Sequence, residues 1–181
     1  MANALARGNP TELILDAEST EDLNQYLTFH IDKELFAIGI LDIKEIIEVG
    51  TISRVPLTPG FISGVINLRG RVLPVLDLSA RLGRDTTQLT KRSCIVIVEV
   101  QSGDRSQSLG MLVHEVNEVI EISPDNIQPA PDFGTDIRTD FIDRMGKIDD
   151  RFIVILSVDN VLSIDELAAL NDLHKQMDGA A

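Results

Sequence analysis

Several residue types in this sequence carry chemistry in enzymes, but their spacing fits none of the common catalytic motifs. His114-Glu115 opens like the zinc-protease motif His-Glu-x-x-His, yet position 118 is Glu118, so the second histidine ligand is missing. Residues 60–64 have the wrong spacing for a nucleophile elbow, which needs one residue on each side of its serine. The glycine-rich patterns that hold phosphates and dinucleotides do not occur. Zinc-dependent, nucleophilic and phosphate-binding chemistry are therefore not expected.

The remaining acid–base candidates are scattered along the chain. The three histidines stand in different predicted elements, which indicates strand ends or surface positions: His30, His114 and His174. Four carboxylates could in principle pair for acid–base work, but each is better interpreted as part of a solvated turn: Asp77, Asp143, Asp149 and Asp150. The sequence therefore predicts no catalytic residue, no metal ligand and no cofactor.

Composition and charge narrow the classes of partner. The 181 residues carry a formal net charge of −13, and aromatic residues make up only 4%, so the core is expected to be aliphatic. An acidic chain disfavours nucleic acids and anionic membrane surfaces, which both need clustered Lys and Arg. No apolar run approaches the ~20 residues that span a bilayer, and no signal peptide is visible. The single cysteine, Cys94, is expected to be a small buried thiol. These features fit a cytoplasmic protein.

Alternating apolar positions and turn signals predict many short strands. The predicted strands cover 26–31, 35–40, 94–100, 108–113, 119–122, 141–148 and 152–158, and two more within 60–78 flank a tight turn at 67–71. Residues 41–49 are predicted to be a short helix or irregular segment with Asp42 as its N-cap, and 78–82 a brief helical turn. Residues 1–22 are interpreted as a flexible extension. A C-terminal helix over 163–177 would begin with the capping box of Ser163 and Glu166.

A weak internal repeat divides the chain. Residues 42–49 match 115–122, and two prolines keep the same register, since 129 − 56 and 118 − 45 both equal 73. Residues 71–78 match 151–158 at a shift of 80. We interpret the chain as two similar all-β units, the first over about 24–88 and the second over about 92–162. Each is too small to be very stable alone, so the two are expected to pack together as barrels or sandwiches.

Two features point towards protein binding. Residues 43–47 form an amphipathic segment, which is either core packing with an incidental glutamate or an exposed aliphatic groove with a charged rim. Arg69 lies on a glycine-flanked turn, and it is either a solvated turn arginine or a partner of Glu45 at an interface, where the planar donor fork of arginine is favoured.

The block Gly64-Val65-Ile66-Asn67-Leu68-Arg69-Gly70, followed by residues 72–78, resembles the signature of the CheW family of bacterial chemotaxis coupling proteins. Residues 40–46 resemble the family's first helix region, and 127–131 its later proline loop. The similarity runs from about Gln25 to Leu170. It implies a CheW-like domain over 23–181, built from two packed five-stranded SH3-like β-barrels with short helices and a C-terminal helix.

The resemblance also implies a function. Such a protein would be a non-enzymatic adaptor in two-component signalling, coupling transmembrane chemoreceptors to the histidine kinase CheA. Its partners would be the CheA regulatory domain and the cytoplasmic tips of methyl-accepting chemoreceptors, in the cytoplasm at receptor arrays on the inner membrane.

Site residues carry over by motif. The receptor groove between the barrels would be lined or supported by Ile43, Glu45, Gly64, Arg69, Ile95, Val116 and Val119, with Glu45 and Arg69 as a charge pair. The kinase would contact loops of the first barrel at Arg71, Val72 and Leu82. The main alternative is a small-molecule-binding module with its ligand in the same cleft. Such a pocket normally supplies several convergent polar groups. The groove candidates supply mainly Glu45 and Arg69, which favours the adaptor.

Overall fold

The structure, a computed structural model, describes residues 23–131 and 137–163. Within them the strands are β1 (Gln25–Ile31), β2 (Glu34–Gly39), β3 (Ile43–Glu48), β4 (Ile62–Leu68), β5 (Arg71–Asp77), β6 (Cys94–Ser102), β7 (Arg105–Val113), β8 (Glu115–Glu121), β9 (Ile127–Pro129), β10 (Ile142–Ile148) and β11 (Arg151–Leu156). One-turn helices follow β5 and β11, namely α1 (Leu78–Arg81) and α2 (Val158–Val161), and 3-10 helices span Ile40–Asp42, Pro124–Asn126 and Thr139–Phe141. The predicted all-β class is confirmed. The extension at 1–22 and, apart from Ser163, the helix at 163–177 lie outside the described residues.

The strands form two sheets. The six-stranded sheet has the order β8-β1-β2-β11-β10-β9, and the five-stranded sheet has the order β3-β6-β7-β5-β4. Neighbouring strands are antiparallel except for β2–β11 and β5–β7. Each sheet thus takes strands from both halves of the chain, and the predicted units 24–88 and 92–162 are wrong as strand sets. That prediction assumed that neighbours in sequence share a sheet, whereas the 3-10 helix Ile40–Asp42 carries the chain into the other sheet after two strands.

The exchange of strands between the sheets is reciprocal. β3 pairs with β6 through a bulge at Lys44, and β8 pairs with β1 through a bulge at Asn117, which is 73 positions later (117 − 44). β10, β11 and α2 repeat β4, β5 and α1 at a shift of 80, including a bulge at Ser63 and its equivalent at Asp143 (143 − 63). The two matches that define the sequence repeat therefore occupy equivalent positions, which are related by an approximate twofold axis.

The bulge at Lys44 explains why the prediction of a short helix or irregular segment over 41–49 is wrong, since β3 covers most of it. In a regular strand, side chains three positions apart point to opposite faces. The extra residue in the bulged strand brings Ile43 and Ile46 to the same buried face. A spacing of three then imitates the period of a helix, although the segment is a 3-10 helix followed by a strand. Asp42 ends that 3-10 helix and caps nothing.

Both sheets curl so that their edges approach one another. β8 and β9 are opposite edges of the six-stranded sheet, yet only residues 122–126 connect them. In a flat sheet five strand spacings would separate the edges by roughly 24 Å, but a connection of that length reaches at most about 21 Å. In the five-stranded sheet, Ser53, just beyond edge strand β3, exchanges two backbone hydrogen bonds of 2.9 and 2.8 Å with Val65 on the other edge strand, β4. The curvature agrees with the barrel-like units that the family resemblance implies.

One main apolar cluster draws residues from both sheets. Its fully buried members include Phe29, Phe36 and Ile38 from the six-stranded sheet and Val96, Val98 and Met111 from the five-stranded sheet. A smaller cluster belongs to each sheet alone. Burying one large aliphatic side chain contributes about 1.5–3 kcal/mol, so the shared cluster binds the two sheets into one folding unit.

Asp77 is buried, and its predicted place in a solvated turn is wrong. Its carboxylate accepts hydrogen bonds from the backbone N–H of Thr87 at 2.7 Å and from the Thr87 hydroxyl at 2.6 Å, and it caps α1 through the N–H of Ala80 at 3.4 Å. Asp77 therefore anchors the connection that leaves α1. Asp143, Asp149 and Asp150 are exposed, as predicted.

Candidate functional site

The predicted charge pair of Glu45 and Arg69 is present. Arg69 Nη1 donates to Glu45 Oε1 and Nη2 donates to Oε2, each at 2.8 Å. Glu45 lies on β3 and Arg69 on the β4–β5 turn, so the pair joins the two edges of the five-stranded sheet. The side chain of Arg69 is 73% exposed and that of Glu45 is 16% exposed. A bidentate pair of this kind fixes the orientation of the guanidinium while leaving it accessible.

The turn that carries Arg69 is a two-residue hairpin loop. Arg69 and Gly70 both have positive φ, of 52° and 83°, as type I′ loops require. The side-chain oxygen of Asn67 accepts a hydrogen bond from the N–H of Gly70 at 2.9 Å. The hydrogen bond to Glu45, and then the charge of Glu45, raise the pKa of Arg69. The hairpin therefore presents a permanently charged group on a backbone held by local bonds.

Gly64 supports this hairpin from the interior. It is buried with a φ of +146°, and a Cβ added there would lie 2.2 Å from the carbonyl oxygen of Ser53. The close approach allows the backbone bridge between Ser53 and Val65 to form. Gly64 is thus placed to support the site and not to contact a partner.

Edge strands β3 and β8 flank the junction between the two sheets, which we name the β3–β8 seam and define by Ile43, Ile46, Cys94, Val116 and Val119. The register pairs Ile43 with Val98 and Val116 with Phe29, so both face the main cluster. Ile43 and Ile46 are 7% and 6% exposed, Val116 is half-buried, and Val119 is 38% exposed. Glu45 pairs with Ile97 of the five-stranded sheet's own cluster, on the other face of β3. The predicted receptor residues therefore form two groups. Ile43 is on the face of β3 that points to the main cluster, and Glu45 is on the opposite face of β3.

Cys94 lies at the seam with its thiol half-buried. It pairs in register with Glu48, and its thiol donates a hydrogen bond of 3.4 Å to the carbonyl oxygen of Arg92. Burial, followed by the carboxylates of Glu48 and Glu115, raises the pKa of the thiol, although a hydrogen bond with the backbone of Val116 opposes this. A protonated thiol is a poor nucleophile. The thiol is thus half-buried, not fully buried as expected from sequence.

The structure separates the remaining predicted contact residues by burial. Arg71 and Val72 are exposed at the start of β5, Val72 by 66%. Leu82, which follows α1, is only 5% exposed and belongs to the main cluster, so its side chain is placed to support the predicted kinase-contacting loop from the interior. Ile95 is fully buried in the five-stranded sheet's own cluster and can only support the site.

A second polar feature, which no sequence pattern signals, is a hollow of about 300 Å³ beside the 3-10 helix Ile40–Asp42. Asp42, Asp143 and Asp159 line it together with Arg144. Burial, then the negative charges of Asp159 and Asp143, raise the pKa of Asp42 to about 6. Only the folded chain brings these carboxylates together, because they come from three elements far apart in sequence.

The raised pKa of Asp42 predicts a pH-dependent variant. Since the folded-state pKa of about 6 exceeds the ordinary value of 3.8, ionised Asp42 lowers the free energy of unfolding above pH 6, and this cost disappears as pH falls through that range. Asp42→Asn should therefore be more stable than the wild type at neutral pH, by about 1 kcal/mol or less because water screens a partly exposed group. The gain should vanish below about pH 4. Urea unfolding of the wild type and of Asp42→Asn across this pH range measures the difference in their free energies of unfolding.

Asp140→Asn is the control of opposite sign. The hydrogen bonds from Arg138 lower the pKa of Asp140, so the ionised carboxylate stabilises the fold. That variant should be less stable than the wild type at neutral pH and equal to it in acid. A pH-independent gain in Asp42→Asn would contradict the assignment of its effect to ionisation.

The described residues carry neither a cluster of metal ligands nor a helix of membrane-spanning character. In the part of the chain that the structure describes, no group of three or more His, Cys, Asp or Glu side chains is placed to hold a metal ion. No helix in the same residues has the length and hydropathy of a membrane span.

Known proteins resemble this chain over most of its length. The family model described as CheW-like domain matches residues 25–166. The chemotaxis protein CheW of Rhizobium meliloti (strain 1021) is 32% identical over 145 residues, which cover 80% of this chain and 91% of that protein. The chemotaxis protein CheW of Bacillus subtilis (strain 168) is 33% identical over 137 residues, covering 75% and 85%. The crystal structure of scaffolding protein TtCheW from Thermoanaerobacter tengcongensis superposes with a TM-score of 0.71 at 35% identity, covering 78% of this chain and 94% of that one.

Proposed function

Because this chain belongs to the CheW family of chemotaxis scaffold proteins, we propose that it is a non-enzymatic adaptor that couples transmembrane chemoreceptors to the histidine kinase CheA. The observation that carries the proposal is the bidentate pair of Glu45 and Arg69, which holds an exposed guanidinium beside edge strand β3, whose opposite face carries the apolar seam residues. Apolar patches with charged rims are typical of protein interfaces, where arginine is enriched.

The receptor tip is proposed to bind along the β3–β8 seam and the adjoining hairpin. Val119 and Arg69 offer it exposed apolar and cationic surface, while Ile43, Ile46 and Val116 form the supporting floor. The kinase regulatory domain is proposed to bind the start of β5, where Arg71 and Val72 are exposed. Arg69 and Arg71 are thus exposed positive charges on a chain whose formal net charge is −13.

A cavity of about 620 Å³ bears on the small-molecule alternative. It is lined by residues 54–60, Thr87 and Leu89, among others. It therefore lies against the five-stranded sheet and not between the two sheets. The Asp77 carboxylate at its wall is already bonded to Thr87. The cavity therefore does not favour a ligand in the cleft between the units, which is what that alternative requires.

The test is a titration of the labelled protein with the regulatory domain of a CheA kinase from the same cell, repeated with Arg71→Glu. We expect saturable binding at micromolar or better affinity, weakened at least about tenfold by the variant because reversing a rim charge adds repulsion. Arg151→Glu is the matched control, since Arg151 holds the equivalent exposed position at the start of β11 (151 − 71 = 80). It makes the same change in net charge and should leave the affinity unchanged.

Two outcomes would count against the proposal. If both variants weaken binding equally, the effect is one of net charge and the kinase face is not at the start of β5. If the wild-type protein does not bind the regulatory domain at all, the adaptor function is wrong.

A further inference from the structure

The side chain of Arg81, at the end of α1, joins the two sheets. Its guanidinium carbon lies 4.7 Å from the ring centroid of Phe61 and 4.8 Å from that of Phe141. Its Nε donates a hydrogen bond of 2.8 Å to the carbonyl oxygen of Val161. Phe61 directly precedes β4 of the five-stranded sheet, whereas Phe141 directly precedes β10 of the six-stranded sheet and Val161 ends α2. The Arg81 guanidinium therefore contacts one aromatic ring beside each sheet. This cation–π interaction strengthens when the cation is shielded from water.

These residues are related by the internal repeat. Phe61 and Phe141 are 80 positions apart (141 − 61), and so are Arg81 and Val161 (161 − 81), the shift that relates β4, β5 and α1 to β10, β11 and α2. The carbonyl of Phe61 accepts a bond of 2.7 Å from the N–H of Asp77, and the carbonyl of Phe141 accepts one of 2.8 Å from the N–H of Ser157 at the equivalent position. Arg81 thus lies between the two phenylalanines that are counterparts in the repeat, and it donates a hydrogen bond to Val161, its own counterpart. A residue in contact with its counterpart must lie close to the twofold axis.

The β3–β8 seam is also built from pairs of counterparts. At the shift of 73, Ile43 is the counterpart of Val116 and Ile46 is the counterpart of Val119. The main cluster includes Phe141 and Val161 as well as Ile43 and Ile46, with Phe61 and Val116 packed against it. Close-packed protein interiors transmit displacements instead of absorbing them, so we expect a change in the angle between the sheets at Arg81 to alter the seam.

We infer that Arg81 is a positioning residue, which sets the angle between the two sheets at their pseudo-twofold axis and thereby the shape of the β3–β8 seam. The inference rests on the proposed function in taking that seam as the receptor-binding surface. Other contacts also join the two sheets, among them the 2.7 Å ion pair of Arg84 with Glu34 on β2. Asp159 of α2 likewise accepts a 3.2 Å hydrogen bond from the N–H of Gln101 on β6. Neither contact joins a pair of counterparts, which distinguishes both from the bond between Arg81 and Val161.

The pseudo-symmetry supplies a set of variants. Arg81→Val places valine at both counterpart positions and removes the cation from between the rings. Arg81→Val combined with Val161→Arg returns one arginine to the axis, but from α2 beside the six-stranded sheet, where the repeat predicts that it faces the same two rings. Arg81→Lys keeps the charge and loses the planar group that stacks on aromatic faces. Circular dichroism first establishes that each variant is folded.

The readout is the distance between the units, measured by double electron–electron resonance. Nitroxide labels are placed at Val72→Cys and Phe152→Cys in a Cys94→Ser background, since these counterparts are 66% and 58% exposed on the hairpins of different sheets. We expect a single narrow distance distribution in the parent protein and a broader or shifted distribution in Arg81→Val. The distribution should be intermediate in Arg81→Lys. In the swapped double variant it should be narrow again. A loss of stability alone would not broaden the distribution of a folded protein.

Receptor-tip affinity is measured in parallel on the unlabelled proteins. It should fall roughly three- to tenfold in Arg81→Val, the scale on which residues remote from a site change coupling, and recover in the swapped variant. An unchanged distance distribution in folded Arg81→Val would overturn the inference, and so would a swapped variant as broad as the single one. If the parent protein binds no receptor tip, the proposed function fails, while the distance measurement still decides the role of Arg81.

Discussion

Replacing Gly64 with alanine is expected to destabilise this protein by about 3 kcal/mol or more, or to prevent folding, which is far above the usual effect of a point substitution. The new Cβ would lie 2.2 Å from the carbonyl oxygen of Ser53 and 2.8 Å from its carbon, distances at which the backbone must move. That carbonyl accepts the 2.8 Å hydrogen bond from Val65 which joins the edges of the five-stranded sheet. The clash therefore acts on the closure of the sheet as well as on the turn.

Two other glycines separate the clash from the cost of backbone conformation. Gly70 also has a positive φ, of +83°, but a Cβ there meets nothing within 4 Å, so Gly70→Ala should cost about 1–2 kcal/mol. Gly60 has neither a positive φ nor a neighbour within 4 Å, and Gly60→Ala should change stability by less than about 0.5 kcal/mol. Guanidinium chloride unfolding gives the three values. Equal losses at Gly64 and Gly70 would mean that the contact with Ser53 relaxes without cost.

Replacing Arg69 with alanine is expected to weaken receptor-tip binding by more than about tenfold, because arginine is enriched among the few residues that dominate binding energy at interfaces, with little change in the free energy of unfolding. The side chain is 73% exposed and makes its paired hydrogen bonds with Glu45 at the protein surface. Exposed ion pairs contribute little to folding because water and salt screen them. Isothermal titration with a receptor-tip fragment, together with urea unfolding, separates the two effects.

Two companion variants identify how the pair acts. Arg69→Lys keeps the charge but cannot form the bidentate fork, so it should recover only part of the affinity. If Glu45 acts by orienting Arg69, then Glu45→Gln combined with Arg69→Ala should bind no worse than Arg69→Ala alone. A loss of stability as large as the loss of affinity would make Arg69 structural, and an unchanged affinity would place the receptor site elsewhere.

Local features of this chain were predictable because they depend on neighbours in sequence. The alternation of residues 26–31, the turn around Arg69 and the helical turn after Asp77 all appear in the structure close to their predicted positions. The repeat was detectable because both copies keep their apolar spacing. Its second match extends upstream to Phe61 and Phe141, which was the available signal for the aromatic pair around Arg81.

The sequence by itself determined the all-β class, the two matched halves and the hairpin that carries the exposed guanidinium, since alternation, turn residues and repeated spacing are local properties of the chain. Only the tertiary structure decided that the halves exchange strands, that Lys44 bulges so that Ile43 and Ile46 share a face, and that Leu82 is buried. It also decided that Arg81 meets its counterpart Val161. Each of these features depends on contacts between residues distant in sequence. The energies of such contacts cannot be read from the spacing of residues that are neighbours in sequence.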